Sequence, residues 1–104
     1  MDVIYLTKAH AFIEDLESPL AARVDRMLGK LKAHGHALRM PFSKPVEDGI
    51  FELRVPGAVQ VRIFYFFHKD SAVVAHAFLK KTEQLRRKDI DYALKAKEAF
   101  IADI

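Results

Sequence analysis

Glu52, Arg54 and Arg62 lie within FELRVPGAVQVRIFYFF (residues 51–67), and Lys80 and Lys81 follow the apolar run VVAHAFL (73–79). Guanidiniums fixed on a strand suit phosphate, because the planar fork makes two parallel charge-assisted hydrogen bonds. The same groups can offset negative charge that develops at a phosphodiester. A plainer reading is a cross-strand ion pair between Glu52 and Arg62, contributing about 0.2–1 kcal/mol on an ordinary sheet. Phe64 and Phe66 continue the same side of the strand. They either pack under a helix or form a stacking surface.

Other chemistries find less support. With no cysteine, thiolate catalysis, disulfides and cysteine-based metal sites are excluded. The five histidines, His10, His34, His36, His68 and His76, contain no HExxH-like spacing. His76 lies inside an apolar strand, where a hydrogen-bonded core role competes with proton transfer. Ser18 and Ser71 have cap and turn explanations, and no glycine-rich loop cradles a phosphate. No cofactor or metal is expected.

The positive charge is concentrated. A net charge of +3 is modest, but residues 23–44 hold Arg23, Arg26, Lys30, Lys32, Arg39 and Lys44 against the single acid Asp25. A second run is Lys80, Lys81, Arg86, Arg87 and Lys88, broken by Glu83. Two basic runs framing an arginine-bearing sheet favour an anionic partner over solvated helix faces alone.

The elements that must hold these residues follow from periodicity. At 104 residues, 51% hydrophobic and 30% charged, the chain suits one small folded domain. No apolar run has the length of a membrane span, and Asp2 stands where a secretory leader would carry positive charge, so a cytoplasmic protein is expected. Asp2 to Leu6 reads as a strand and Ala9 to Leu16 as a helix. Ser18 as N-cap and Pro19 at the first helical position then open a second helix, with Leu20, Val24, Leu28 and Leu31 in phase and Gly35 ending it. Residues 36–50, with two prolines and a glycine, read as loop.

Phe51, Leu53 and Val55 alternate with Glu52 and Arg54, and Val59, Val61, Ile63, Tyr65 and Phe67 continue the apolar parity. A three-residue connection at 56–58 would oppose Val55 to Val59, Arg54 to Gln60 and Glu52 to Arg62. After a turn at 68–71, Ala72 to Leu79 is apolar on both sides, as in a central strand covered on both faces. From Thr82 the period returns to helix, with Ile90, Leu94, Lys97 and Ile101 in line. The predicted order is β-α-α-β-β-β-α, an α+β fold with its helices largely on one side of the sheet.

Four strings in order, DGIFELR (48–54), VRIFYFF (61–67), HAFLKKT (76–82) and D-I-x-x-A (89–93), together with the loop MPFSKPVEDG, resemble the HigB-like, phage-derived branch of the RelE/ParE toxin superfamily. The resemblance covers nearly the whole chain. It implies a compact RelE-like domain, with a twisted antiparallel sheet packed against an N-terminal helical hairpin and a C-terminal helix. It further implies the toxin of a type II toxin–antitoxin pair, a ribosome-dependent, metal-independent mRNA endoribonuclease that inhibits translation and leaves a 2′,3′-cyclic phosphate and a 5′-hydroxyl. The implied catalytic group is Arg62 and Arg54 on the phosphate, with Glu52, Lys81 and His76 for proton transfer. Lys80, Lys81, Arg86, Arg87 and Lys88 would bind RNA. Glu52 departs from the family, whose well-known members carry a lysine there. Expected partners are a helix-turn-helix antitoxin encoded adjacently, the ribosome and mRNA, with no membrane. The alternatives are a gyrase-targeting ParE-like toxin and a non-catalytic nucleic-acid- or protein-binding domain.

Overall fold

Alternation and helical spacing place most elements where the residues predict them. The computed structural model describes residues 1–81 and 83–103. It contains β1 (Asp2–Tyr5), α1 (Thr7–Glu14), α2 (Leu20–His34), a 3₁₀ turn (Gly35–Ala37), β2 (Ser43–Glu47), β3 (Ile50–Val55), β4 (Val61–His68), β5 (Ser71–Leu79) and α3 (Arg87–Ala102). The strands form one five-stranded sheet in the order β1-β5-β4-β3-β2. β1 runs parallel to β5 and the other pairs are antiparallel, so the sheet is mixed rather than antiparallel throughout. The fold is α+β. No helix among the described residues is long and apolar enough to cross a membrane.

The sheet is covered on both faces, which corrects the expectation of helices on one side. Val24, Met27, Leu28 and Leu31 of α2 form one core with Leu53, Val55, Val61, Ile63 and Tyr65, and Ala9 of α1 joins it. On the other face Phe64 and Phe66 pack with Ile50, Val73 and Ala93 of α3, flanked by Ile90, Leu94 and Phe100. The two phenylalanines are fully buried there, each stabilising the fold by roughly 1.5–3 kcal/mol relative to exposure. A strand whose odd and even residues are both large and apolar needs a cover on each side, and α3 is the second cover.

The segment read as loop contains a strand. β2 pairs with β3 through Ser43↔Leu53, Lys44↔Glu52 and Pro45↔Phe51, and Asp48-Gly49 links the two strands. Both linking residues have positive φ (46° and 83°), the backbone of a type I′ hairpin turn, for which Asp-Gly is a preferred sequence. Pro45 is tolerated because β2 is an edge strand, where one row of donors lacks a partner in any case.

The β3–β4 register also differs. Val55 opposes Val61, Arg54 opposes Arg62 and Glu52 opposes Phe64, so the connection is five residues, 56–60. Both registers keep the apolar residues on one face, because they differ by an even number. β5 then carries a bulge, Phe64 pairing with His76 and Tyr65 with Val74, which leaves Ala75 as the extra residue.

Helix ends correct two further details. α2 starts at Leu20 with Pro19 as the preceding cap residue and no side-chain cap hydrogen bond, so Ser18 does not cap it. Gly35 closes α2 with φ +50° but ψ −124°, outside the left-handed helical region. A Cβ there would lie 3.1 Å from the Met1 side chain. α3 begins at Arg87, later than the change of period at Thr82; Thr82 itself lies outside the described residues.

Candidate anion-binding site

Pleating puts Lys44 of β2, Glu52 and Arg54 of β3 and Arg62 of β4 on the α3 face, near the end of the sheet that carries the 56–60 connection. Glu52 is fully buried. Its Oε1 lies 3.3 Å from Arg54 Nε and 4.0 Å from Lys44 Nζ, and its Oε2 lies 3.2 Å from Arg62 Nε. Arg54 Nε donates to Glu52, whereas the Arg62 Nε contact is an ion pair without hydrogen-bond alignment. The expected Glu52–Arg62 pair therefore forms, but diagonally across the ladder and inside the protein.

Arg62 is committed to its neighbours. Its side chain is 8% exposed. Nη1 donates to the Val61 carbonyl at 3.2 Å and Nη2 to Gln60 Oε1 at 2.9 Å. Burial weakens this guanidinium's hold on its proton, Glu52 restores part of it, and Arg54 opposes it. Arg54 is more open, 29% exposed, with Nη1 4.0 Å from Met40 sulfur.

Lys80 leaves the end of β5, its N–H donating to the Gln60 carbonyl at 2.8 Å. Its ammonium is pushed below the usual lysine value, first by burial and then by the repulsion of Arg62, Arg54 and Lys44, with Glu52 acting against the shift. Lysine repelled by three neighbouring cations marks a place where positive charge exceeds negative. Lys81 and Glu83 complete the surroundings, so five cations face two carboxylates. An incoming anion would relieve that repulsion.

Two clefts open here. One, of about 640 Å³, is walled by Val59, Gln60, Leu79, Lys80 and Lys81. The other, of about 330 Å³, is walled by Phe42, Arg54, Pro56, Gly57, Gln60 and Arg62. Gln60 belongs to both.

The remaining predicted residues sit elsewhere. His76 Nε2 is 2.8 Å from Asp89 Oδ1, and Arg86 Nε donates to Asp89 Oδ2 at 3.2 Å. The His76 ring stacks on Phe78 at 5.0 Å, with Tyr92 4.5 Å away. Arg87 makes a bidentate pair with Glu47, at 2.7 and 2.6 Å, and a third bond to Asp91 at 2.9 Å. These hydrogen bonds hold the Arg87 proton more tightly than usual and the Glu47 carboxyl below its ordinary range. Lys88 is exposed on the same turn. The structure thus groups Arg54, Arg62, Glu52, Lys80 and Lys81, and separates Arg86 and Arg87 into pairs at the start of α3. Lys44, Gln60 and Phe42 are additions. Lys44 reaches Glu52 because a bulge at Val46 shifts the β2–β3 register by one residue; the Asp48-Gly49 turn alone would set Lys44 opposite Leu53.

The family model for phage-derived protein Gp49-like (DUF891) matches residues 11–98. The chain belongs to this family. Membership in the Gp49-like family overturns the resemblance to the HigB-like branch of RelE/ParE toxins, and with it the toxin reading, the mRNA endoribonuclease and the gyrase-directed alternative. The strings that carried the resemblance lie largely in β3, β4 and β5 and at the start of α3; Thr82, at the end of the third, lies outside the described residues. No group of three or more His, Asp or Glu side chains suited to a metal occurs among the described residues. The catalytic roles of Arg62, Arg54, Glu52, Lys81 and His76 were implied by the resemblance that this family membership overturns. No curated protein matches this Gp49-like chain.

Proposed function

We propose that this Gp49-like domain is a non-catalytic binding module for a phosphate-bearing polyanion, a nucleic-acid backbone, taken up at the open cationic end of its sheet. A cytoplasmic location and a single-domain protein are part of this reading. One observation carries it: Lys44, Arg54 and Arg62 lie within 4.0 Å of the buried Glu52 carboxylate, and Lys80 adjoins them, beside two open clefts. Glu52 and Gln60 fix Arg62 and thereby the position of the charge, while Arg54, Lys80 and Lys81 are the groups a ligand can reach. Phosphate oxygens accept from lysine and from arginine forks without any requirement for sequence. Of the expected partners, nucleic acid is the one these groups favour; the antitoxin and the ribosome rested on the resemblance alone.

The test is fluorescence anisotropy of labelled RNA and DNA oligonucleotides across a salt series. Binding is expected to weaken linearly in log–log form, and each lost phosphate contact in Lys80→Ala or Lys81→Ala to reduce the slope by about 0.7 for a single strand. A salt-independent affinity, or one untouched by the double variant with the fold intact, removes the proposal.

A further inference from the structure

The two clefts of the cationic end do not stop at Phe42. A third opening, of about 240 Å³, is walled by His34, Leu38, Arg39, Met40 and again Phe42. Gln60 borders both the first and second clefts, and Phe42 both the second and third, so the three lie in series, a track of adjoining clefts from Lys81 to the C-terminal end of α2. Cations border it throughout. The Arg23 guanidinium lies over Gly57, where a Cβ would come within 3.0 Å of it, and Lys30 Nζ sits over the Phe42 ring at 4.7 Å.

Apolar side chains interrupt those cations. Among the described residues eight large apolar side chains are exposed, and four of them, Met40, Phe42, Val59 and Leu79, border this track. Phe42 and Met40 are 37% and 55% exposed. A track that served phosphate alone would gain nothing from a half-exposed aromatic ring at its junction. A ligand with a charged backbone and flat apolar faces uses both, because every base has a π-face that stacks on an aromatic side chain. A duplex keeps those faces stacked inside.

Resting on the phosphate-binding reading, we infer that the track from Lys81 through Gln60 to Phe42 and Arg39 takes a single-stranded nucleic acid, with an unpaired base stacked on Phe42 beside Met40. Phe42 acts on the bases and the cations act on the backbone. The two contributions are therefore separable.

The experiment compares three probes of equal length: an oligothymidylate of about a dozen nucleotides, within the roughly 4–16 that one OB-fold domain spans, its abasic counterpart, and a duplex. Wild type is expected to prefer the oligothymidylate to both others. Phe42→Ala should cost about 5- to 150-fold on the oligothymidylate, equivalent to 1–3 kcal/mol per stacked base, and leave the abasic chain within about twofold. Phe42→Trp keeps a stacking surface and should restore the preference, and circular dichroism melting checks the fold of both variants. An oligouridylate of the same length assigns the strand to RNA if it binds more tightly and to DNA if less so. Equal affinity of wild type for the oligothymidylate and the abasic chain overturns the inference but leaves phosphate binding standing. So does a Phe42→Ala variant that weakens both equally, since the residue then acts through the fold. If neither probe binds, the phosphate reading itself has failed.

Discussion

The start of α3 and the open end of the sheet are both rich in basic residues, yet only one has charge to spare. At the start of α3, Arg86 meets Asp89, and Arg87 meets Glu47 and Asp91. Each of these two guanidiniums is consumed, and what it achieves is attachment of the helix to the edge strand and to His76. At the sheet end a single buried carboxylate serves three side chains at 4.0 Å or closer and adjoins a fourth. A run of basic letters therefore says little until each carboxylate has been matched to its cations. In the chain the two regions look alike; in space one is balanced and the other is not.

Removing Glu52 attacks that contrast at its strongest point. Glu52→Ala leaves Arg62 buried beside two other cations, and unfolding in urea is expected to register a loss of about 3–5 kcal/mol. A loss below about 1 kcal/mol would mean the cations do not depend on it. Asp89→Ala comes next, because Asp89 is buried and holds both His76 and Arg86. The expected loss is about 1.5–3 kcal/mol, measured the same way. The two variants should part in binding: Asp89→Ala is expected to keep oligonucleotide affinity at temperatures where it remains folded.

The lysine and arginine comparison is smaller. Lys80→Ala should weaken oligonucleotide binding about two- to fivefold at moderate salt, the range of a partly exposed ionic contact. Arg87→Ala should leave it unchanged, since its charge is already matched; a loss equal to that of Lys80→Ala would erase the distinction between the regions. The smallest effect concerns pH. The Glu47 carboxyl is held below its ordinary value of 4.5 by hydrogen bonds from Arg87. Its contribution is thus present above 4.5 and disappears as pH falls through the lowered value. Wild type and Glu47→Gln should differ in melting temperature at neutral pH and converge in acid, with the difference also shrinking in high salt.

Strand parity was legible because burial on one face enforces it; Glu52, Arg54 and Arg62 were correctly grouped on one side for that reason. The register was not, since three- and five-residue connections preserve the same parity and nothing local to Pro56-Gly57-Ala58 separates them. β2 was hidden by Pro41 and Pro45, which read as loop until the strand is known to be an edge. Asp48-Gly49, with β-prone residues on either side, was the clue to it. The Ile90 and Leu94 positions announced a packed helix face, whereas Ile101 of the same stripe is exposed; which side of the sheet receives the helix is decided by Phe64 and Phe66, because they need a cover. Within the site, Lys44 and Phe42 escaped because both depend on β2.

The 56–60 connection between β3 and β4 supplies Gln60 to two clefts and Gly57 to the underside of Arg23. Since inward and outward positions alternate along both flanking strands, this connection can gain or lose residues in pairs without turning a single core side chain outward. Loop length is thereby uncoupled from the interior, and the width of the charged entrance can be reset while the hydrophobic layers stay as they are.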